Sequence, residues 1–214
     1  MRVSHQHSFI FFAVPRTGST TVRRVLDQYS DIQSVYITET DEEHPFYHHI
    51  SPREVLEIFD ERGWTYEEYR TFCFVRNPWD RVVSLFHHRM KMWHDGWVGT
   101  LKRKVKMRVK QQQLFDQFVK NQISDWGRLE EPVTHFISDD VGAPLVDDVL
   151  KFENISTVLP GYLSSHFGIS LSPNQLPHKN RSHRKSYGRY YDAHTKSIID
   201  SVYEADIKRF SYSF

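Results

Sequence analysis

The 214-residue sequence has one cysteine and no apolar stretch that is long enough to cross a membrane. Cys73 cannot form an intrachain disulfide, and its apolar neighbours predict a buried thiol rather than a nucleophile. A membrane-spanning helix needs about 20 apolar residues. The run Phe9 to Val14 is too short for that, and also too short for the core of a signal peptide. We therefore expect no membrane span and a cytoplasmic location.

The sequence also lacks an excess of charge of either sign. It has 28 basic and 27 acidic residues, with a formal net charge of +1. Nucleic-acid-binding domains usually carry a basic excess, so we expect no nucleic-acid partner. Internal repeats and low-complexity segments are absent. The length and the hydrophobic content of 39% predict a single folded domain over residues 1–214.

Two stretches typical of buried strands are each followed by the start of a helix. The apolar run Ser8 to Val14 is interrupted by Pro15 to Gly18, and helical spacing of apolar residues then predicts a helix from Ser19 to about Tyr29. A second buried strand, Thr71 to Val75, precedes Asn77-Pro78, which is a typical helix start. These strand–loop–helix units predict an α/β fold: a P-loop-like central parallel sheet of about four or five strands flanked by helices.

Other helix and strand signals complete this pattern. Ser51-Pro52-Arg53-Glu54 contains a capping box, which indicates that a helix begins at Pro52. A strand is expected over Val149 to Phe152, followed by a helix from about Ile155 to Phe167. Apolar residues at helical spacing from Ile198 to Phe210 predict a C-terminal helix that packs on the core. The basic run Lys102 to Lys110 is interpreted as a solvated helix face, with a docking surface for an acidic acceptor as the alternative.

The loop between the first strand and its helix has the residue types that bind tetrahedral anions. Its glycine permits close approach of the backbone, its hydroxyls lie at a helix N-terminus, and Arg16 adds a guanidinium. The residues are Pro15, Arg16, Thr17, Gly18, Ser19, Thr20 and Thr21. The loop is not a Walker A motif, because the first glycine and the lysine of that motif are missing, and this disfavours an ATPase. A plain Ser/Thr-rich helix cap is the alternative.

A second anion-binding pair follows the second strand. Arg76 ends that strand, and Ser84 lies eight residues further on, about two turns into the next helix. This spacing can bring a guanidinium and a hydroxyl to one anion. Each feature alone also has a structural explanation, in which the arginine pairs with a carboxylate and the serine has no role. The two anion motifs together, in this order, favour a phosphorylated or sulfated nucleotide as the ligand.

These residues resemble the PAPS-dependent sulfotransferases (PAPS is 3′-phosphoadenosine 5′-phosphosulfate), especially the carbohydrate-type and bacterial branch. Pro15 to Thr20 matches the family loop that holds the 5′-phosphosulfate. The family segment that holds the 3′-phosphate is matched by Arg76, Pro78, Trp79, Arg81 and Ser84. Weaker matches are Lys151 to Ile155 and the ending Ile207 to Phe214. The resemblance also implies that Arg181 and Ser182, in a late polar loop, contact the nucleotide or line the acceptor site.

The resemblance implies direct transfer of a sulfuryl group from PAPS to a hydroxyl or amine, with adenosine 3′,5′-bisphosphate as the product. The acceptor hydroxyl must lose a proton, so a general base is needed. Family members often place this histidine just before the motif matched by His49 to Glu54, which favours His49, with His48 as the second candidate. Glu54 itself is interpreted as a capping residue. Arg16 stands where the family usually has lysine, and it can stabilise charge but cannot release a proton.

Several alternatives stay open from the sequence alone. A metal site at the histidines has no recognisable ligand spacing, so no metal is expected. A small-molecule kinase and a catalytically inactive nucleotide-binding protein are the rival functions. The acceptor could be a carbohydrate, such as a glycan, a lipid or a small molecule, because acceptor specificity does not follow from fold. The oligomeric state is not predicted.

Overall fold

The computed structural model describes residues 1–95, 110–123, 130–172 and 186–214. The chain divides into two compact units. The first unit comprises Met1–Arg76 and Val133–Ser182, and the second comprises Asn77–Pro132 and His183–Phe214. None of the helices in the described ranges is long and apolar enough to cross a membrane.

The first unit contains a five-stranded sheet with the strand order β3-β1-β2-β4-β5. The strands are β1 (Arg2–Ser4), β2 (Phe9–Phe12), β3 (Ile32–Gln33), β4 (Arg70–Val75) and β5 (Asp148–Lys151). Strands β2, β4 and β5 are parallel, whereas β1 is antiparallel to both β2 and β3. The predicted α/β class and the number of strands are confirmed. The sheet is mixed, because a short hairpin turn connects β1 to β2.

Helices α1 (Ser19–Leu26), α2 (Pro52–Glu61), α5 (Val133–Phe136) and α6 (Ile155–Phe167) belong to the first unit. Every residue of β2 is buried, as is Thr71–Val75 of β4, which explains why these strands read as continuous apolar runs. Helices α1 and α6 pack on the sheet. Their core contains Phe9, Phe11, Val22, Val25, Leu26, Phe72, Phe74, Leu159 and Leu163.

The predicted helix starts agree with the structure. Ser51 caps α2, because its Oγ accepts a hydrogen bond from the Glu54 nitrogen (3.4 Å) while Glu54 Oε2 accepts one from the Ser51 nitrogen (2.9 Å). Helix α1 begins at Ser19 as predicted but ends at Leu26. The expected last turn, as far as Tyr29, is a separate 3₁₀ turn.

The second unit is helical in the ranges that the structure describes. It contains α3 (Pro78–Asp95), α4 (Gln111–Phe118), α7 (Ala193–Val202) and α8 (Glu204–Arg209). Asn77 caps α3, since its Oδ1 accepts a hydrogen bond from the Asp80 nitrogen (3.1 Å). The sequence predicts one C-terminal helix, but the structure has two, α7 and α8. They are separated at Tyr203, which is fully buried and donates its hydroxyl to the Glu130 carbonyl.

Candidate active site

The carboxyl ends of the three parallel strands lie at one edge of the sheet of the first unit. The loop Pro15–Thr21, here called the anion loop, follows β2. Arg76 follows β4, and Phe152 follows β5. In open α/β sheets, ligands bind outside the carboxyl ends of the strands. The fold therefore places the first predicted anion motif and the start of the second at the edge where a nucleotide is expected.

The anion loop has a backbone conformation that is unusual for its residues. Arg16 and Gly18 both have left-handed φ values, +66° and +85°. Positive φ is uncommon for an arginine, and such backbone strain clusters at functional sites. The loop is held by Thr17, whose buried Oγ1 donates a hydrogen bond to the Val14 carbonyl (3.0 Å). The Thr17 side chain thus stabilises the turn itself.

Gly18 lies directly against the ring of Phe152. A Cβ atom at Gly18 would be 2.5 Å from Phe152 Cε2, closer than atoms can approach without movement. Only glycine combines this contact with the left-handed backbone. Phe152 was missed as a site residue by sequence reasoning, which noted only the segment around it. Its position directly after a parallel strand is the signal that could have identified it.

Helix α1 begins immediately after Gly18. The first amides of a helix have no intrahelical acceptor, and they bind anions together with the helix dipole. The Thr21 nitrogen already donates to the Gly18 carbonyl (2.9 Å), so the amides of Ser19 and Thr20 are the relevant donors. The Ser19 side chain is buried, that of Thr20 is exposed and that of Thr21 is half-buried. The geometry suits the cradle that the sequence predicts.

Arg76 joins the end of β4 to the anion loop. Its Nη1 donates a hydrogen bond to the Arg16 carbonyl (3.1 Å), and its guanidinium carbon lies 4.5 Å from the centre of the Phe152 ring. This arrangement holds a planar cation over an aromatic face. The arginine of the second motif and the loop of the first motif are therefore in direct contact.

The rest of the second motif belongs to α3 in the second unit. Ser84 is buried there. Trp79 Nε1 donates to Asp200 Oδ1 (2.9 Å), and Arg81 Nη1 donates to the Glu131 carbonyl (2.8 Å). Trp79 and Arg81 thus stabilise the second unit. Arg181, Ser182 and the basic run up to residue 109 lie outside the described residues.

His49 is fixed beside the anion loop. Its Nδ1 lies 2.6 Å from the carbonyl oxygen of Ala13, two residues before Pro15. A carbonyl oxygen can only accept a hydrogen bond, so Nδ1 carries the proton and Nε2 is left with a lone pair. Burial lowers the pKa of His49 to about 4, although the bond to Ala13 opposes this shift. At neutral pH the ring is therefore uncharged and able to accept a proton at Nε2.

His48 points to different partners. Its Nδ1 is 2.9 Å from Ser34 Oγ, and its ring centre is 4.8 Å from that of Tyr36. Burial and the charge of Arg23 lower its pKa to about 4. Both histidines are thus neutral at pH 7, but only His49 is bonded to the strand that leads into the anion loop. Glu54 is occupied by the α2 cap and by the Tyr47 hydroxyl (2.6 Å), which confirms its predicted capping role.

No metal centre is evident in the part of the chain that the structure describes. None of its His, Cys, Asp and Glu side chains form a group of three or more that could hold a metal ion.

Comparisons with known proteins identify the family of the chain. The model of the Sulfotransferase family matches residues 1–139, which is more than half of the chain. The chain belongs to this family, and it is a PAPS-dependent sulfotransferase. No curated protein matches the sequence significantly.

Two solved structures are similar to the chain. One is the mouse sulfotransferase SULT7A1 complexed with PAP, at 11% identity and a TM-score of 0.52, covering 96% of this chain and 85% of that one. This likeness shows the shared fold. The other is a sulfotransferase from Alicyclobacillus acidocaldarius, at 15% identity and a TM-score of 0.43, covering 94% of this chain and 93% of that one.

Proposed function

We propose that the enzyme transfers the sulfuryl group of PAPS directly to a hydroxyl or amine of a carbohydrate, lipid or small-molecule acceptor, with His49 as the general base. The observation that carries this proposal is the bond between His49 Nδ1 and the Ala13 carbonyl, which fixes the tautomer with an accepting Nε2. It also anchors the ring two residues from the anion loop. His48 has no equivalent bond to this strand.

The anion loop and Arg76 are proposed to hold the nucleotide. The amides at the start of α1 and the Arg16 guanidinium would bind the 5′-phosphosulfate, and Arg76 would bind the 3′-phosphate. The similar mouse enzyme was crystallised with PAP, which supports a bisphosphate product here.

The reaction would form one bond and break one. The acceptor oxygen attacks the sulfur, the bond from sulfur to the bridging phosphate oxygen breaks, and adenosine 3′,5′-bisphosphate leaves. His49 Nε2 takes the proton of the acceptor. Arg16 stabilises the charge that develops on the transferring group and the leaving phosphate, but a guanidinium cannot serve as the acid at neutral pH.

An acceptor panel tests this proposal. Purified protein would be incubated with ³⁵S-labelled PAPS and separate sets of glycans, lipid headgroups and phenolic or amine small molecules, and labelled products would be counted. We expect transfer to members of one set. Label transfer from γ-labelled ATP with magnesium, without transfer from PAPS, would instead favour a kinase. Binding of adenosine 3′,5′-bisphosphate without transfer to any set would favour an inactive binding protein.

A further inference from the structure

The carboxylate of Glu54 contacts the chain on both sides of His49. Its Oε1 accepts a hydrogen bond from the Tyr47 hydroxyl (2.6 Å), and its Oε2 accepts bonds from the nitrogen (2.9 Å) and the hydroxyl (2.7 Å) of Ser51. Tyr47 lies two residues before His49, and Ser51 lies two residues after it. We call residues 47–51 the His49 turn. One side chain therefore joins the two ends of this turn, with the candidate base at its centre.

The bond from Tyr47 is not required by the cap of α2. In a capping box the hydroxyl of the N-cap residue accepts from the third helical nitrogen, and the carboxylate accepts from the N-cap nitrogen. Oε2 of Glu54 supplies that carboxylate contact to Ser51. Oε1 is used for Tyr47 instead. The carboxylate thus makes a second connection, which links the start of α2 back to the residues that precede His49.

The chain that enters the His49 turn is held by its backbone. The Val35 nitrogen donates to the Phe46 carbonyl (3.0 Å), and the His48 nitrogen donates to the Val35 carbonyl (3.0 Å). The side chain of Phe46 is buried as well. The position of the chain up to His48 is therefore fixed by the neighbouring segment.

The chain that leaves His49 is held through the turn itself. The Ile50 nitrogen donates to the Tyr47 carbonyl (3.3 Å), and the Ile50 side chain is buried. The two bonds from Ser51 to Glu54 come next, and Glu54 is tied back to Tyr47. Glu54 therefore helps to set the direction in which the backbone continues after His49.

The orientation of the His49 ring depends on this backbone. The bond between Nδ1 and the Ala13 carbonyl (2.6 Å) joins residues that are 36 positions apart, and hydrogen bonds weaken steeply when their geometry is lost. A ring without that bond can carry its proton on either nitrogen. With the proton on Nε2, the ring has no lone pair there for a proton from the acceptor.

We propose that Glu54, through its bond with Tyr47, is a positioning residue for His49, which keeps Nδ1 on the Ala13 carbonyl and Nε2 open to the acceptor. Glu54 acts through the backbone of the His49 turn, and His49 remains the catalytic residue. The proposal rests on the proposed function, because it takes His49 as the general base. Displacement of a catalytic group by about 1 Å can cost on the order of 10²-fold in rate.

Tyr47→Phe is the most direct test, because it removes the bond to Oε1 and keeps both the aromatic ring and the α2 cap. The tautomer of His49 is read from ¹⁵N spectra of histidine-labelled protein at pH 7, and its signals are identified by their loss in His49→Gln. We expect the wild type to carry the proton on Nδ1 and Tyr47→Phe to show a mixture of the two tautomers.

Activity provides a second measurement on the same variant. The kcat of Tyr47→Phe, for transfer from PAPS to the most active member of the acceptor panel, should fall about tenfold. The affinity for adenosine 3′,5′-bisphosphate should not change, since the anion loop is intact. Glu54→Gln should retain more of the wild-type tautomer and kcat than Glu54→Ala. Its amide can accept from Ser51 and donate to the Tyr47 hydroxyl.

Tyr66→Phe is the matched control. Tyr66 is a half-buried tyrosine of the same unit, and its hydroxyl donates to the Leu145 carbonyl (2.8 Å). The control loses one hydroxyl and one hydrogen bond, as Tyr47→Phe does, so the melting temperatures of the two variants should fall by similar amounts. Only Tyr47→Phe should change the tautomer of His49 and kcat.

Three results would overturn the proposal. They are a wild-type His49 protonated at Nε2, an unchanged His49 tautomer in both Tyr47→Phe and Glu54→Ala, or equal losses of kcat in Tyr47→Phe and Tyr66→Phe. A wild type that transfers nothing from PAPS to any acceptor would contradict the proposed function instead. The tautomer measurement needs neither PAPS nor an acceptor, so it still decides whether Glu54 positions the ring.

Discussion

The anion loop differs from the Arg2–Arg23 region, which comprises Arg2, Arg23, Asp27, Ser34 and His48, in how its polar groups are used. In the anion loop, the contacts of Thr17, Arg76 and Phe152 fix the shape of the backbone. In the Arg2–Arg23 region, Arg2 pairs with Asp27, Ser34 and the Met1 carbonyl, and the buried Nε and Nη1 atoms of Arg23 have no hydrogen-bond partner among the described residues. A loop with a fixed shape suits a ligand that is always the same, as we propose for the donor nucleotide.

The two histidines divide between these regions although they are adjacent in sequence. His49 is bonded to the strand that enters the anion loop, and His48 is bonded to Ser34 of the Arg2–Arg23 region. Both have pKa values lowered to about 4, so protonation state does not distinguish them. Their hydrogen-bond partners do, and this difference leads to the first prediction.

His49→Ala should reduce the rate of transfer by about 10²–10⁴-fold, because the acceptor loses its general base. His48→Ala is the matched control and should reduce the rate far less, since His48 is bonded to Ser34 and not to the strand that enters the anion loop. The measurement is kcat for sulfuryl transfer with each purified variant. Equal losses in the two variants, or a fully active His49→Ala, would contradict the assignment.

Gly18→Ala should damage the anion loop through shape alone, without removing a charge. The left-handed backbone and the contact with Phe152 predict a loss of about 1–3 kcal/mol in the free energy of unfolding. Urea denaturation measures this loss, and nucleotide affinity should fall with it. Gly63 has the same left-handed backbone, but a Cβ there would meet no atom within 4 Å, so Gly63→Ala is the control. Equal effects at the two glycines would show that the Phe152 contact is unimportant.

The stability of the protein should depend on pH in the range where the protonation of the two histidines differs between the folded and the unfolded chain. Their pKa values are lowered from 6.5 to about 4 on folding, so the unfolded chain binds more protons between these values. The free energy of unfolding should therefore fall as the pH falls from about 6.5 to about 4. Urea denaturation across this range measures the slope.

The double variant His48→Gln, His49→Gln should show a shallower dependence, and comparing the two single variants would show how each region contributes. A slope that is unchanged in the double variant would mean that other groups cause the acid sensitivity.

Local patterns predicted the parts of the fold that depend on neighbouring residues. The α2 cap at Ser51, the α3 cap at Asn77 and the buried strands β2 and β4 follow from side-chain chemistry within a few positions, and the structure confirms them. Strand β1 was missed because Arg2–Ser4 is too short to show a period. The break at Tyr203 was missed because the apolar spacing continues through it.

The site depends more on contacts between distant positions, and these are less predictable. The sequence indicated the anion loop, Arg76 and the two histidines from residue types and order. It gave no signal for the contact of Gly18 with Phe152, which lies more than a hundred residues away, or for the bond of His49 to Ala13. The competition between Arg2 and Arg23 for Asp27 is likewise a result of folding, because β1 brings Arg2 next to α1.

The central claim is that Arg76 and the anion loop form a site for a nucleotide with two separate phosphates. Calorimetry with adenosine 3′,5′-bisphosphate and adenosine 5′-phosphate tests it most directly, in the wild type and in Arg76→Gln. We expect the wild type to bind the bisphosphate more tightly, and Arg76→Gln to lose about 10–100-fold for the bisphosphate. The loss for the monophosphate should be clearly smaller, because it comes only from the bond between Arg76 and the Arg16 carbonyl of the anion loop. Equal losses for both nucleotides, or none for either, would contradict the claim.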